Sequence, residues 1–116
     1  MFERRQMKPI LVSQPDSLPE AIRRITERFQ PERIILFGSW ARGDAHPGSD
    51  LDLLVVLKQV ENKLKSMVEI MRALNGLPIS KDVVVTTPEE IESRGREAGN
   101  VLRPALAEGN VVFERG

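Results

Sequence analysis

The sequence contains no cysteine and no tyrosine, only one histidine and one tryptophan, and no excess of either charge. Without cysteine there can be no disulfide, no thiolate metal ligand and no cysteine nucleophile, a usage compatible with a reducing compartment. Lys plus Arg and Asp plus Glu balance at 17 each, so no global field draws in a polyanion. A long nucleic-acid ligand would be expected to leave a basic signature, and direct nucleic-acid binding is therefore not expected. Local patches are still allowed, because Arg4, Arg5, Arg23, Arg24 and Arg28 fall in the first quarter of the chain. Long apolar runs are missing too. Ile10-Leu11-Val12 is far too short for the core of a signal peptide, and no stretch approaches the ~20 apolar residues of a membrane span. The expectation is a soluble cytoplasmic protein, and 116 residues suit one compact domain.

Residues 1 to 15 show no clear period and are read as an N-terminal arm of uncertain structure, ahead of a single domain over 16 to 116. Asp16 or Ser17 fits a helix N-cap, with Pro19 and Glu20 in the first turn. Leu18, Ile22, Ile25 and Phe29 then form the stripe of an amphipathic helix that Pro31 closes. Ile34 to Phe37 is a short continuous apolar run suited to a buried strand. Ser39 to Arg42 can make one helical turn, followed by the turn-rich segment Gly43 to Ser49. Asp50 to Leu57 predicts a second buried strand. A helix follows from about Asn62 to Leu74, with Leu64, Met67, Met71 and Leu74 on one face and Gly76 just past its end. Asp82 to Thr86 predicts a third strand. Thr87 can cap a helix beginning at Pro88 and carrying Glu89 and Glu90. A helical pattern resumes through Leu102 and Leu106, where Pro104 either kinks the helix or marks a new start. Gly109 stops it, and Val111 to Phe113 predicts an edge strand. The fold class is α/β (α+β), a small mixed sheet with helices packed on it.

The chemistry lies in Gly38-Ser39 and Asp50-Leu51-Asp52. Side chains alternate along a strand, so Asp50 and Asp52 project from one face about 7 Å apart. Two carboxylates aimed at one spot repel unless a proton or a cation intervenes. Mg²⁺ takes one or two carboxylates together with water and phosphate oxygens, so the pair is a plausible metal seat. The link from Gly38 to Ser49 is too short for an easy parallel crossover, which favours antiparallel first and second strands. The end of the first strand then lies beside the start of the second. Gly38 lets the backbone approach a ligand, and Ser39 with the amides after it can cradle a phosphate. Lys58 to Ser80 holds a whole helix, so the second and third strands are expected to be parallel, bringing Asp82 to the same end. Three carboxylates beside a phosphate turn could hold two metal ions for an in-line phosphoryl displacement.

Gly38-Ser39-Trp40-Ala41-Arg42-Gly43-Asp44-Ala45, followed by Ser49-Asp50-Leu51-Asp52-Leu53-Leu54-Val55, resembles the signature of the minimal nucleotidyltransferase (MNT) family of the DNA polymerase β-like superfamily. The resemblance runs from the first helix to Gly109-Asn110-Val111-Val112-Phe113. It implies the polymerase β-like nucleotidyltransferase fold, with Asp50, Asp52 and Asp82 as catalytic metal ligands and Asp82 placed to activate the acceptor hydroxyl. It assigns Gly38 and Ser39 to nucleotide binding, with Arg42 as a further nucleotide-binding candidate. The implied reaction is Mg²⁺-dependent transfer of AMP from ATP with release of pyrophosphate. The implied partner is a HEPN-family toxin modified at tyrosine, the present chain being the antitoxin; the sequence leaves both a homodimer and a hetero-oligomer open. Alternative readings are a small-molecule (aminoglycoside-like) nucleotidyltransferase and an antitoxin that acts by binding alone.

Plainer readings compete residue by residue. Asp50 and Asp82 at strand starts fit turn chemistry, but Asp52 lies inside an apolar strand where Asp is disfavoured. Ser39 could be only an N-cap, and Arg42 could pair with a local carboxylate. Trp40 is expected to pack the short helix rather than stack on a base, and His46 to be a surface residue of its turn.

Overall fold

The computed structural model describes residues 14–95, 97, 99, 100 and 102–115, so all but the last two residues of the expected arm lie outside the described part. Helix α1, Leu18–Phe29, buries Leu18, Ala21 and Ile25 and ends where Gln30 turns into the left-handed region at φ 50°, one residue before Pro31. Ser17 holds the N-cap position without a capping hydrogen bond from its side chain.

Strands β1, Arg33–Phe37, and β2, Leu51–Val56, flank the one-turn helix α2, Ser39–Arg42, and pair antiparallel. Helix α3, Lys63–Ala73, is capped by Asn62, which accepts from the Lys65 amide at 3.0 Å. It returns the chain to β3, Lys81–Thr86, which runs parallel to β2. Helix α4, Pro88–Arg94, starts at the Thr87 cap, whose hydroxyl takes the Glu90 amide at 3.1 Å. Burial alone would push the Glu90 carboxyl up; hydrogen bonds from Lys63 and Thr86, both at 2.6 Å, hold it below its ordinary value instead. Helix α5, Leu102–Glu108, begins ahead of Pro104, which therefore sits in a first turn and kinks nothing. Strand β4, Asn110–Glu114, completes the order β3-β2-β1-β4 and is an edge.

Helices cover both faces of this sheet. Leu51, Leu53 and Val55 of β2 pack with Leu18, Ile25, Ile70 and Leu74 of α1 and α3. Leu54 and Val56, with Ile35, pack under Leu102 and Ala105 of α5 and Ile91 of α4. A strand buried on both faces needs an unbroken apolar sequence rather than an alternating one, and Asp52 is the single break in β2. At Gly109 a Cβ would come within 2.2 Å of the Ala105 carbonyl and 2.4 Å of Ile35. Close packing of α5 on β1 fixes that glycine as much as helix termination does.

One expected face was displaced. Helix α3 buries Ile70, Ala73 and Leu74, with Met67 half-buried, whereas Leu64 is 69% and Met71 37% exposed. The sequence carries two overlapping apolar rows, and tertiary contacts choose between them by rotating the helix. Arg24 of α1 holds the α3 C-terminus through the carbonyls of Ala73 at 3.1 Å and Asn75 at 3.0 Å. The Lys63 ammonium holds the other end on Glu90. Among the described residues no helix is long and apolar enough to cross a membrane.

Candidate active site

The site forms where β1 ends and β2 and β3 begin. Register sets Asp52 opposite Phe37 of β1 on one side and Asp82 of β3 on the other. Asp82 is thus level with Asp52, two residues further into the sheet than Asp50. Alternation carries Asp52 and Asp82 onto the face shared by Leu54 and Val84, the side of α4 and α5. Asp50 lies just ahead of β2; it and Asp82 are exposed, while Asp52 is half-buried.

Gly38 makes the turn that brings β1 against these carboxylates. Its φ of 75° with ψ of −155° suits glycine alone. A Cβ there would stand 2.1 Å from Asp52 Oδ2, so the Asp52 carboxyl rests directly on the Gly38 backbone. The turn then closes into α2, with the Ala41 and Arg42 amides both 3.0 Å from the Gly38 carbonyl. Gly38, not Ser39, is the N-cap of α2. Ser39 is its first residue, its carbonyl takes the Gly43 and Asp44 amides, and its hydroxyl bonds no other described residue.

Electrostatics single out Asp52. Burial, then the neighbouring Asp82 and Asp50 charges, push its carboxyl above the ordinary 3.8, and only Arg42 opposes them. Arg42 itself is occupied: Nε meets Asp44 at 3.3 Å and Nη1 meets Glu108 of α5 at 2.9 Å, and these carboxylates hold its guanidinium charged. Its positive charge therefore belongs to the site rim, tied down by α5.

The loop before Asp50 is internally braced. The His46 amide donates to Ser49 Oγ at 2.9 Å, the Ser49 amide to the His46 carbonyl at 2.8 Å, and the Gly48 amide to His46 Nδ1 at 3.2 Å. Trp40 Nε1 reaches the Ser49 carbonyl at 3.4 Å while its ring packs on the α1/α3 side of the core. Both residues serve the loop's shape.

Among the described residues no group of three or more His, Asp or Glu side chains is gathered closely enough to enclose a metal. The carboxylates offer hard oxygen donors on an open surface, which fits Mg²⁺, an ion that keeps water and substrate phosphate as ligands. Burial raises the Asp52 carboxyl most, and the Asp82 and Asp50 charges add to it, a repulsion that a cation would relieve. A wide groove of about 1120 Å³ opens at the other end of the sheet, between Arg33, Val56, Ile91, Arg103 and Glu114, away from this chemistry.

The sequence points to Gly38, Ser39, Arg42, Asp50, Asp52 and Asp82, and the structure brings all six to one end of the sheet. It adds Phe37, recoverable from strand register, and Glu108, which contacts Arg42 across 66 positions with no local signal.

Residues 18–106 match the model of the nucleotidyltransferase domain family. A Methanocaldococcus jannaschii protein named as a candidate protein adenylyltransferase is 34% identical over 55 residues, 47% of this chain and 54% of its own length. The protein adenylyltransferase MntA of Thermococcus cleftensis is 39% identical over 57 residues, 47% of this chain and 58% of its own length. The chain thus spans little more than half the length of these relatives. Among solved structures, a candidate nucleotidyltransferase of Sulfolobus solfataricus superposes at TM-score 0.61 and 25% identity, over 84% of this chain and 78% of that one. A candidate minimal nucleotidyltransferase gives 0.53 and 29%, over 85% and 98%. A toxin–antitoxin structure with AMP-PNP gives 0.58 at 22%, over 83% and 73%, a likeness of fold.

Proposed function

The chain belongs to the nucleotidyltransferase domain family, and from that premise we propose that it transfers AMP from ATP to a hydroxyl carried by a partner protein. The observation that carries this reading is the register of Asp52 and Asp82, with Gly38 pressed against the Asp52 carboxyl. A carboxylate pair on open strand starts, beside a turn that only glycine can make, has no structural need that uncharged residues would not meet better.

In the proposed reaction Gly38 and Ser39 receive the triphosphate, and Arg42 supplies positive charge at the rim. Mg²⁺, held by Asp50, Asp52 and Asp82 together with phosphate oxygens, would neutralise phosphate charge when bound. Asp82, which is exposed, takes the proton of the incoming hydroxyl. The hydroxyl oxygen then bonds to the α-phosphorus, the bond to the β-phosphate oxygen breaks, and pyrophosphate leaves. Asp50 and Asp82 are exposed rather than enclosed, which suits an acceptor presented by a second macromolecule. The proposed acceptor is a tyrosine of a HEPN-family toxin, and the chain acts as its antitoxin. The absence of tyrosine here keeps the enzyme from labelling itself at a phenol.

The test is incubation of the whole chain with ATP, Mg²⁺ and a HEPN-family partner, followed by intact-mass measurement of both proteins. A gain of AMP units on the partner, absent with Asp52→Asn, supports the reading. An unmodified partner whose toxicity is still neutralised by Asp50→Asn/Asp52→Asn would establish steric inhibition instead.

A further inference from the structure

Three of the four exposed large apolar side chains among the described residues, Leu64, Val68 and Met71, lie on α3. They recur at i, i+4 and i+7 and, with half-buried Met67, form one stripe beside the face that packs on the sheet. The same four line a shallow groove of about 460 Å³ with Arg72 and Asn75. One flank of the stripe carries charges of alternating sign: Glu61 ahead of the helix, then Lys65, Glu69 and Arg72. None of these four forms an ion pair with another described residue, although their spacings would allow it.

We propose that this stripe is the contact between two copies of this chain, packed through antiparallel α3 helices about a two-fold axis near Met67 and Val68. An isologous contact reverses the order of residues across the axis. Leu64 then meets the partner's Met71, and Val68 packs across the axis. The sequence of charges, minus-plus-minus-plus, is its own complement when reversed. Lys65 faces the partner's Glu69, and Glu61 faces the partner's Arg72, each pair occurring twice. A parallel two-fold would carry this flank to opposite sides of the two helices, so these charges would not meet one another. An unrelated partner helix would give no reason for this self-complementary order. Antiparallel helices also set opposite dipole ends side by side. Asp52 and Asp82 project from the other face of the sheet, so both candidate sites stay open in the dimer.

Sedimentation equilibrium of the whole chain, from micromolar to hundreds of micromolar, tests the inference. A concentration-dependent dimer is expected. Val68→Glu should weaken it by about tenfold or more with an unchanged circular-dichroism melt. Leu64→Glu replaces that variant if it fails to fold. Lys65→Glu should weaken the dimer, and Lys65→Glu/Glu69→Lys should restore it by exchanging the two partners of each pair. A chain monomeric at every concentration overturns the proposal. So does a dimer indifferent to both stripe variants, or a charge exchange no tighter than Lys65→Glu alone.

Discussion

At Gly38 two demands meet in one residue, since the backbone takes φ 75° and the Asp52 carboxyl occupies the space of a Cβ. Gly38→Ala should therefore cost about 1–3 kcal/mol of stability from backbone strain alone, and more transfer activity than that loss explains, because Asp52 must move. A thermal melt and a steady-state transfer assay separate the two effects. Asp52 predicts the reverse pairing of effects. Its folded-state carboxyl lies above the ordinary 3.8, so the folded chain holds that proton more tightly than the unfolded chain does. The associated stability is complete below 3.8 and is lost as pH rises through the raised value. In metal-free buffer at neutral pH, Asp52→Asn should raise the melting temperature, and the gain should fade on acidification toward the ordinary range. The same variant should lower transfer on the order of 100-fold or more, if charge at the reacting phosphates is what it stabilises. A melting temperature unmoved by Asp52→Asn would contradict the electrostatic account of the site.

Helix α3 illustrates how an element is read correctly in type and extent and wrongly in orientation. The apolar residues expected inward, Leu64 and Met71, are exposed, and Ile70 and Ala73 take the interior places. Ile70→Ala should accordingly cost about 2–5 kcal/mol, while Leu64→Ala should change the stability of the monomer by under about 0.5 kcal/mol. Chemical denaturation at low protein concentration, where association is suppressed, measures both. Equal losses would mean that both rows are buried. Strand β2 shows the opposite case. Its apolar run was legible as buried, and Asp52 stood out in it, because a carboxylate is disfavoured inside an apolar strand covered on both faces.

For the whole molecule, the candidate metal ligands Asp50 and Asp82 lie exposed at one end of the sheet, outside both apolar clusters that pack the fold. Addition of EDTA should leave the melting temperature unchanged in the absence of nucleotide. ATP with Mg²⁺ should raise it, by the equivalent of about 2.7 kcal/mol at a hundredfold excess over Kd, and Asp50→Asn/Asp52→Asn should remove that rise. Differential scanning fluorimetry reads all three conditions. A loss of fold in EDTA alone would show that the metal is structural.

Sequence by itself determined the element order, the mixed pairing of the strands and the identity of the candidate residues. These follow from local rules: period, caps, turn formers, and the length of chain available for each connection. The shortness of the Gly38–Ser49 link allowed an antiparallel neighbour, and the helix after Lys58 allowed a parallel one. Tertiary structure decided three things that have no local signal. The register set Asp82 against Asp52 rather than Asp50, a two-residue difference that keeps every side chain on its face and so leaves no mark in the alternation of either strand. The rotation of α3 accompanies the packing of Ile70 and Leu74 into the core, with Arg24 and Glu90 contacting its two ends from distant parts of the chain. The pairing of Arg42 with Glu108 followed from the packing of α5 on β1, where Gly109 permits the close approach. Each depends on residues far apart in sequence, and only the folded chain brings them within reach of one another.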